Sequence, residues 1–388
     1  MTVTGTTVSP AALVGAVESL FSGDDSWAPG DLPTVGLELE LVPLRPTGGR
    51  PAPVTVAEME PLLASLAGVT FEPGGQVELN PPPQPTVTAA VAVLGTLAAE
   101  TARRLAAAGI ELVATGLNPW HTLDELPLQL TTERYVAMDR HFASIGPAGR
   151  AFMRQSASTQ LCIGLAPGAA GQQQWRAANL LAPVLAAVFA NSPRYEGRLL
   201  ATAGGRTAIC RLADPDRAGH GRFPAPGNQV AAYVALAAGA RPLGPGFSAP
   251  GAEARHLSTL FPPVRPRGTY LEVRSVDSLP LHEVRTAASL GAVLLGDPQA
   301  RSLVSGRLAT EFPGPCEMWD LAAGPGIRHR ALRRAALVAV EAAHVAVDRL
   351  GPYLPPGTAD DLEALARRVA AERTPGDTPA AALAPAPA

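Results

Sequence analysis

Apolar and polar residues follow two different periods along the chain. A period of two, which places apolar side chains on one face of a strand, predicts strands at 35–42, 76–80, 110–115, 156–165 and 269–276. A spacing of three and four, which gives a helix one apolar face, predicts helices at 89–108, 172–190, 282–295 and 327–350. The two kinds of element do not alternate regularly. The pattern therefore predicts an α+β fold with a mainly antiparallel sheet.

Two stretches rich in glycine and proline interrupt this pattern. The stretch 214–255 has a breaker every few residues, and we interpret it as a loop or a lid. The stretch 374–388 has few residues that could bury apolar surface, so it is predicted to be a disordered tail. The remaining residues, 1–373, are interpreted as one large domain.

Acidic side chains share the polar face of two predicted strands. Glu38 and Glu40 alternate with leucines, so both carboxylates lie on the face opposite the leucines. Taken alone, this pattern is typical of an amphipathic strand with its glutamates in water. A Pro-Gly-Gly turn follows Glu72 and leads into a strand that carries Glu78. Taken alone, this second segment is equally compatible with an ordinary surface turn.

A third predicted strand carries an acidic and a basic residue on the same face. Glu272 and Arg274 lie two residues apart and therefore share a face, which by itself indicates no more than a surface ion pair. The three acidic strands together indicate more, because Mg²⁺ prefers several oxygen ligands and an adjacent arginine suits a phosphate. Such strands on one sheet surface could hold a magnesium nucleotide.

Composition excludes several classes of function. The chain has 31 basic and 34 acidic residues, a net charge of −3 and no lysine. A lysine-containing phosphate loop and a lysine Schiff base are therefore excluded, and nucleic acid is not an expected partner. The three cysteines are far apart in sequence, which favours a reducing compartment. No predicted helix could span a membrane. We expect a cytoplasmic protein.

A series of short motifs, in this order, resembles the glutamate-cysteine ligases, especially the actinobacterial branch that serves ergothioneine biosynthesis. The most specific motifs are Glu-Pro-Gly-Gly-Gln-Val-Glu-Leu at 72–79, Phe-Pro-Pro-Val-Arg-Pro-Arg at 261–267 and Leu-Glu-Val-Arg at 271–274. Weaker ones are Glu-Leu-Glu at 38–40, Arg-Tyr at 134–135, Ser-Ala-Ser-Thr-Gln at 156–160 and Ala-Asn-Ser-Pro at 190–193. The resemblance covers most of the chain.

The resemblance implies a saddle-shaped, mainly antiparallel sheet like that of glutamine synthetase, with helices on its outer face. It also implies an enzyme that uses ATP to phosphorylate the γ-carboxylate of L-glutamate, after which the amine of L-cysteine forms γ-glutamylcysteine. ATP and Mg²⁺ are the implied cofactors, and small molecules are the implied partners. Five glutamates and one arginine are implied to be catalytic: Glu38, Glu40, Glu72, Glu78, Glu272 and Arg274.

The resemblance also assigns the remaining roles. The five glutamates and Gln160 are implied metal ligands. Six residues are implied to contact substrate or nucleotide: Arg134, Tyr135, Gln160, Arg206, Arg211 and Arg267. Cys162, between two apolar neighbours, is interpreted as an inert core thiol.

Two alternatives remain open from the sequence. The 214–255 stretch is shorter and richer in glycine and proline than in the relatives considered, which is compatible with a γ-glutamyl ligase that uses another amine. A catalytically silent homologue is the other alternative. Retention of all five glutamates and Arg274 argues against it.

Overall fold

A computed structural model describes residues 8–28, 30–223, 227–249 and 251–377. The strands are β1 (Val35–Arg45), β2 (Ala52–Pro53), β3 (Val69–Phe71), β4 (Val77–Leu79), β5 (Glu111–Val113), β6 (Ser158–Gly164), β7 (Arg194–Tyr195), β8 (Arg198–Leu199), β9 (Val264–Pro266) and β10 (Tyr270–Asp277). All five predicted strands are present, with small shifts at their ends.

The helices include the four that the periodicity predicts, the last of which is divided into shorter pieces. They are α1 (Pro10–Ser19), α2 (Val56–Leu63), α3 (Val87–Ala106), α4 (Glu133–Ile145), α5 (Pro147–Gln155), α6 (Gly168–Val188), α7 (Gly205–Ala213), α8 (Pro215–Ala218), α9 (Gln229–Gly239), α10 (Glu253–Leu257), α11 (Leu281–Gly296), α12 (Pro298–Glu311), α13 (Pro315–Ala323), α14 (Arg330–His344), α15 (Val347–Leu350) and α16 (Thr358–Ala370). Short 3₁₀ turns occur at Pro245–Phe247, Gly326–Arg328, Gly351–Tyr353 and Pro375–Asp377.

The strands form one large antiparallel sheet. Its order is β3-β4-β1-β6-β10-β9, and the far end of β1 also pairs with β2 and β5. Strands β7 and β8 form a separate hairpin. The predicted α+β class with a mainly antiparallel sheet is confirmed.

Helices cover one face of this sheet. The alternating apolar side chains of β1, β4, β6 and β10 are buried in one hydrophobic core, together with α3, α6 and α11. Leu39 and Leu161 are typical of these strand residues, with 1% and 0% of their surface exposed. Since successive strand side chains point to opposite faces, this packing leaves the acidic residues together on the other face.

The 214–255 stretch is more regular than its composition suggested, because α8, α9 and α10 lie within it. Arg217 of α8 is buried and forms an ion pair with Asp214 at 3.0 Å and a hydrogen bond to Thr259 at 2.9 Å. These contacts fasten the beginning of the stretch to the body of the protein. A role as a lid stays a prediction.

The first residues of the predicted disordered tail, 374–377, are packed against the rest of the protein. Thr374 is buried, and the amide of Gly376 donates a hydrogen bond to the carbonyl of Ala190 at 3.0 Å. Asp377 forms an ion pair with Arg328 at 2.9 Å. Residues 378–388 of the predicted tail lie outside the described part of the chain.

Substitution of two helical glycines by alanine should have opposite effects on the free energy of unfolding. A Cβ at Gly95 in α3 would meet no atom within 4 Å, whereas one at Gly171 in α6 would lie 2.0 Å from the carbonyl oxygen of Ala166. We expect Gly95→Ala to raise the free energy of unfolding by about 0.5–1 kcal/mol, because alanine loses less entropy in a helix. Gly171→Ala should lower it. Urea unfolding of both variants checks the prediction, and equal effects would contradict this packing.

Candidate active site

Sheet register brings the acidic residues together. On β1, Glu40 lies opposite Glu78 of β4, and Glu38 lies opposite Gln160 of β6. On the far side of β6, Cys162 lies opposite Glu272 of β10. Directly opposed residues of antiparallel strands have neighbouring side chains, so four strands build one polar surface.

A β-bulge shapes the end of this surface. The register between β10 and β6 shifts between Val273 and Val276, so these two valines both reach the core although they are three residues apart. On its other side, the backbone amide of Arg274 bonds to the carbonyl of Pro263 at 2.8 Å, which continues the register of β10 with β9. Bulges redirect side chains beside active sites, and this one affects the positions of Arg274 and Ser275.

Glu72 reaches the site from the Pro-Gly-Gly turn. The amide of Gly75 bonds to the Glu72 carbonyl at 2.8 Å, and Gly75 has φ +93°, a conformation that favours glycine. A Cβ on Gly74 would lie 1.9 Å from the carbonyl oxygen of Arg154. Both glycines are therefore required by the turn that presents Glu72.

The polar face forms the floor of a cleft of about 370 Å³. Every predicted site residue lines it except Arg211, and these residues are Glu38, Glu40, Glu72, Glu78, Arg134, Tyr135, Gln160, Arg206, Arg267, Glu272 and Arg274. Arg211 lies outside the cleft and forms an ion pair with Asp320. The position on α7 explains this difference, because a residue five places after Arg206 does not share its helix face.

Three carboxylates crowd the acidic end of the cleft. One carboxylate oxygen from each of Glu40, Glu72 and Glu78 lies within 4.8 Å of the other two. In the described part of the chain none of these three glutamates has an ion-pair partner. Burial, with the charges of the other two, raises the pKa of Glu72 well above its ordinary value. Burial, with Glu78, likewise raises the pKa of Glu40.

Neutral donors orient Glu40. The amide of Ser158 donates to one carboxylate oxygen at 2.7 Å, and Gln160 Nε2 donates to the other at 2.9 Å. The Gln160 Oε1 atom accepts from Arg274 at 2.7 Å. Gln160 therefore connects the acidic end of the cleft to its arginines.

The side chain of Cys162 does not point into the hydrophobic core, where the sequence predicted it to lie. It is buried, but its Sγ lies on the acidic face, 3.7 Å from Glu38 Oε1. Burial, with the charges of Glu38 and Glu272, raises the pKa of this thiol well above its ordinary value. The thiol is therefore held protonated, which agrees with the expected lack of reactivity.

Arginines dominate the other end of the cleft. Arg265 Nη2 contacts both carboxylate oxygens of Glu272, at 2.8 and 3.0 Å, and Arg274 also pairs with Glu272. Arg267 approaches the same carboxylate at 3.5 Å and is 42% exposed. Although burial acts to raise it, the guanidinium groups, that of Arg274 foremost, lower the pKa of Glu272 to about 2.

Arg206 enters the cleft from α7 and is positioned by a buried acid. Its Nη2 donates to the Arg274 carbonyl at 3.0 Å, and its Nη1 lies 3.7 Å from Asp277 Oδ1. Asp277 is 1% exposed and accepts from the amide of Asn191 and the hydroxyl of Ser192, each at 2.7 Å. Asn191 and Ser192 of the motif at 190–193 therefore fix Asp277, which in turn positions Arg206.

Arg134 and Tyr135 close another side of the cleft from the start of α4. The Arg134 guanidinium stacks over the Tyr135 ring at 4.5 Å, and its Nη1 donates to the Ser258 carbonyl at 3.1 Å. Burial, with the charge of Glu72, raises the pKa of the Tyr135 phenol. Both residues line the cleft, and their contact with substrate or nucleotide stays a prediction.

Sequence reasoning missed several lining residues. Arg265 is the most important, because it makes a two-oxygen contact with Glu272. The sequence did contain an indication, because Arg265 and Arg267 lie in the same 261–267 motif, but only Arg267 is among the predicted site residues. Phe261, the first residue of the same motif, lines the cleft as well, and so does Phe152, which no pattern in the sequence indicated.

Comparison with known proteins identifies the family. Residues 34–382 match the family model described as glutamate-cysteine ligase family 2. The chain belongs to this family. The ligase is 30% identical to the glutamate–cysteine ligase EgtA of Mycolicibacterium smegmatis, over 92% of this chain and 88% of the relative. It is 32% identical to the enzyme of that name from Mycobacterium tuberculosis, over 85% of this chain and 84% of the relative.

Solved structures support the fold of the ligase. The glutamate–cysteine ligase of Francisella tularensis, crystallised with AMP, has a TM-score of 0.61 and 12% identity, over 91% of this chain and 84% of that one. A bifunctional glutathione synthetase from Pasteurella multocida has a TM-score of 0.55 and 12% identity, over 96% of this chain and 50% of that one. Among the helices that the structure describes, none combines the length and apolar character that a bilayer crossing requires.

The acidic face should make the stability of the metal-free ligase depend on pH. Burial, with the charges of Glu272 and Glu78, raises the pKa of Glu38 from 4.5 to about 7. Between these values the folded protein binds more protons than the unfolded chain, so the free energy of unfolding should fall as pH rises. Glu38→Gln should flatten this decline.

Urea unfolding in EDTA, at several pH values between about 4.5 and 7, measures this slope. Glu363→Gln is the matched control, because Glu363 lies on α16 with 57% of its side chain exposed. This control should keep the wild-type slope. An equally steep decline in the Glu38 variant would contradict the assignment.

Proposed function

We propose that this ligase uses ATP to join the γ-carboxyl group of L-glutamate to the amine of L-cysteine. One observation supports this most strongly: a single cleft holds three unpaired carboxylates at one end and an arginine cluster at the other. This division suits a reaction that needs both a metal-bound nucleotide and a phosphoryl group in transfer.

The acidic end fits Mg²⁺. Glu40, Glu72 and Glu78 offer hard oxygen ligands within 4.8 Å of one another, and their mutual repulsion favours binding of a cation between them. Glu38 lies beside them on β1, and Gln160 bonds to Glu40. Glu272 is the remaining proposed ligand, and in this structure it is paired with Arg265 and Arg274 at the other end of the cleft. Bound magnesium supplies positive charge that neutralises the phosphates of ATP.

The arginine end suits the transferred phosphoryl group. Arg274 and Arg265 are held by Glu272, so their guanidinium groups are fixed before substrate binds. We propose that Arg274, with Arg267, contacts phosphate oxygens. Fixed donors of this kind stabilise the charge that is distributed over the phosphoryl oxygens during transfer.

The proposed reaction has two steps. A γ-carboxylate oxygen of glutamate attacks the γ-phosphorus of ATP, the bond to the β,γ-bridging oxygen breaks, and ADP leaves. The amine nitrogen of cysteine then attacks the acyl carbon of γ-glutamyl phosphate, the carbon–oxygen bond breaks, and phosphate leaves as the amine loses a proton. Neither step requires a protein nucleophile, which agrees with the lack of lysine and with the protonated Cys162 thiol.

The amino-acid substrates require a carboxylate-binding group. Arg206 is suited to this role because it lines the cleft and its guanidinium group is held in place by the Arg274 carbonyl and by Asp277. Arg134 and Tyr135 are proposed to contact substrate or nucleotide from the opposite wall. We further propose that the product enters cytoplasmic biosynthesis of ergothioneine or another low-molecular-weight thiol.

The reaction is tested by measuring ADP formation with magnesium, ATP and L-glutamate, with and without L-cysteine. We expect turnover that depends on cysteine and a product with the mass of γ-glutamylcysteine. ADP release that depends on glutamate but gives no cysteine adduct would indicate another amine. No turnover in folded protein would favour the catalytically silent alternative.

The metal assignment predicts a specific loss of activity. Glu78→Gln and Glu272→Gln should each reduce ligation by about 100-fold or more, because an amide matches the volume but binds Mg²⁺ or arginine far less well. Circular dichroism should remain that of the wild type. Glu363→Gln is the control and should retain full activity, since its side chain is 57% exposed. Near wild-type turnover in either site variant would contradict the assignment.

A further inference from the structure

Residues 374–377 form a compact turn that is anchored to the body of the protein. One oxygen of the Asp377 carboxylate accepts from the amide and the hydroxyl of Thr374, each at 2.8 Å, and the other oxygen pairs with Arg328 at 2.9 Å. The Asp377 amide also donates to the Thr374 carbonyl at 3.1 Å. Pro375 and Gly376, inside the turn, are buried. The first and last residues of the 374–377 turn therefore hold its buried centre in place.

Gly376 brings this turn into direct contact with the motif at 190–193. Its amide donates to the Ala190 carbonyl at 3.0 Å. A Cβ on Gly376 would lie 2.8 Å from the Cβ of Ala203, 3.2 Å from the Ala190 carbonyl oxygen and 3.3 Å from the Cα of Asn191. Since carbon atoms in contact normally lie about 3.5–4.0 Å apart, no side chain fits here. Any residue larger than glycine would displace this neighbouring backbone.

The backbone that the turn contacts also holds Asp277. The Asn191 amide and the Ser192 hydroxyl both donate to Asp277 Oδ2, each at 2.7 Å. The Ser192 amide in turn donates to the Ala203 carbonyl at 2.9 Å. On another side, a Cβ on Gly116 would lie only 2.4 Å from the carboxyl carbon of Asp277. Asp277 is therefore enclosed, and a displacement of its hydrogen-bond donors moves the carboxylate with them.

Arg206 depends on Asp277 because few other groups hold its guanidinium. Within the described residues, Nη2 donates to the Arg274 carbonyl at 3.0 Å, Nη1 lies 3.7 Å from Asp277 Oδ1, and Nε makes no hydrogen bond. The 3.7 Å separation is longer than a hydrogen bond, so a small shift of Asp277 changes this interaction. Misplacing a binding group by 1 Å can reduce a rate by about 100-fold.

We propose that the 374–377 turn positions Arg206 for the carboxylate of an amino-acid substrate and that Gly376 is the positioning residue. The inference rests on the proposed function, in which Arg206 binds such a carboxylate. The contacts run from Gly376 to the 190–192 backbone, then to Asp277 and then to Arg206. The carboxylates at the acidic end stand on β1, on β4 and on the turn before β4. A change at Gly376 should therefore affect use of an amino acid and not use of ATP.

The first test is Gly376→Ala in the full chain, with KM measured for L-glutamate, L-cysteine and ATP while the other two substrates are saturating. We expect the KM of the amino acid that Arg206 binds to rise by about 10–100-fold. The KM for ATP should stay near that of the wild type. Gly306→Ala is the matched control, because a Cβ on this exposed glycine of α12 would meet no atom within 4 Å.

A second variant perturbs the turn without adding an atom to its buried centre. Asp377→Asn matches the volume of the native residue but removes the charge that pairs with Arg328. It should raise the same KM as Gly376→Ala, by a smaller factor. This variant keeps the test decisive if Gly376→Ala folds poorly.

A double-mutant cycle separates positioning from a general loss of stability. Asp277→Asn removes the charge beside Arg206 and should raise the same KM. Adding Gly376→Ala to Asp277→Asn should raise that KM little further, because both substitutions act through one contact. Effects that multiply in full would overturn the proposal.

The remaining outcomes distinguish this inference from the proposed function. An unchanged amino-acid KM in folded Gly376→Ala and Asp377→Asn would show that the turn only stabilises the fold, and so would an equal rise in every KM. Either result would overturn the positioning role and leave the ligase reaction intact. A folded wild type that ligates no amino acid would overturn both.

Discussion

Electrostatic repulsion among buried carboxylates is the constraint on which the rest of the structure depends. Five glutamates and five arginines line the cleft, but the two signs are not evenly mixed. Three of the arginines, Arg265, Arg267 and Arg274, gather around Glu272. In contrast, oxygens of Glu40, Glu72 and Glu78 lie within 4.8 Å of one another, and these glutamates have no ion-pair partner in the described chain. Burial of unpaired charge is costly, so other interactions must hold this arrangement together before ligand binds.

The antiparallel sheet provides that support. Glu38 and Glu40 are fixed on one strand that is paired on both sides, and the leucines that alternate with them are buried under helices on the opposite face. Moving one carboxylate away from the others would therefore require moving a strand with its core contacts. The hydrophobic core and the acidic cluster are two faces of the same strands, and burial of the first offsets the repulsion in the second.

Much of this arrangement could be predicted from the sequence because it depends on local periodicity. The alternation around Glu38 and Glu40 predicted β1, and the Pro-Gly-Gly turn predicted the approach of Glu72. The family resemblance then brought the acidic strands to one surface, and all five glutamates line the same cleft.

The features that could not be predicted depend on breaks in that periodicity or on contacts between distant segments. Strict alternation across β10 does not reveal the bulge, beyond which Asp277 lies 3.7 Å from Arg206. The apolar neighbours of Cys162 concealed that its own side chain points to the acidic face. Helices α8 and α9 lie where composition indicated a loop, because tertiary packing outweighs the local effect of glycine and proline.

Both ends of the cleft are built mainly on the sheet. The acidic residues stand on paired strands or on the turn between β3 and β4, where register fixes their separation. At the arginine end, Arg265 lies on β9, and Glu272 and Arg274 lie on β10. Arg206 comes instead from α7, so a substitution on that helix can change this end of the cleft without altering a strand register. Most of the charged groups are therefore held at separations that strand pairing sets before a ligand binds, which is the arrangement that electrostatic stabilisation of a transferred phosphoryl group requires.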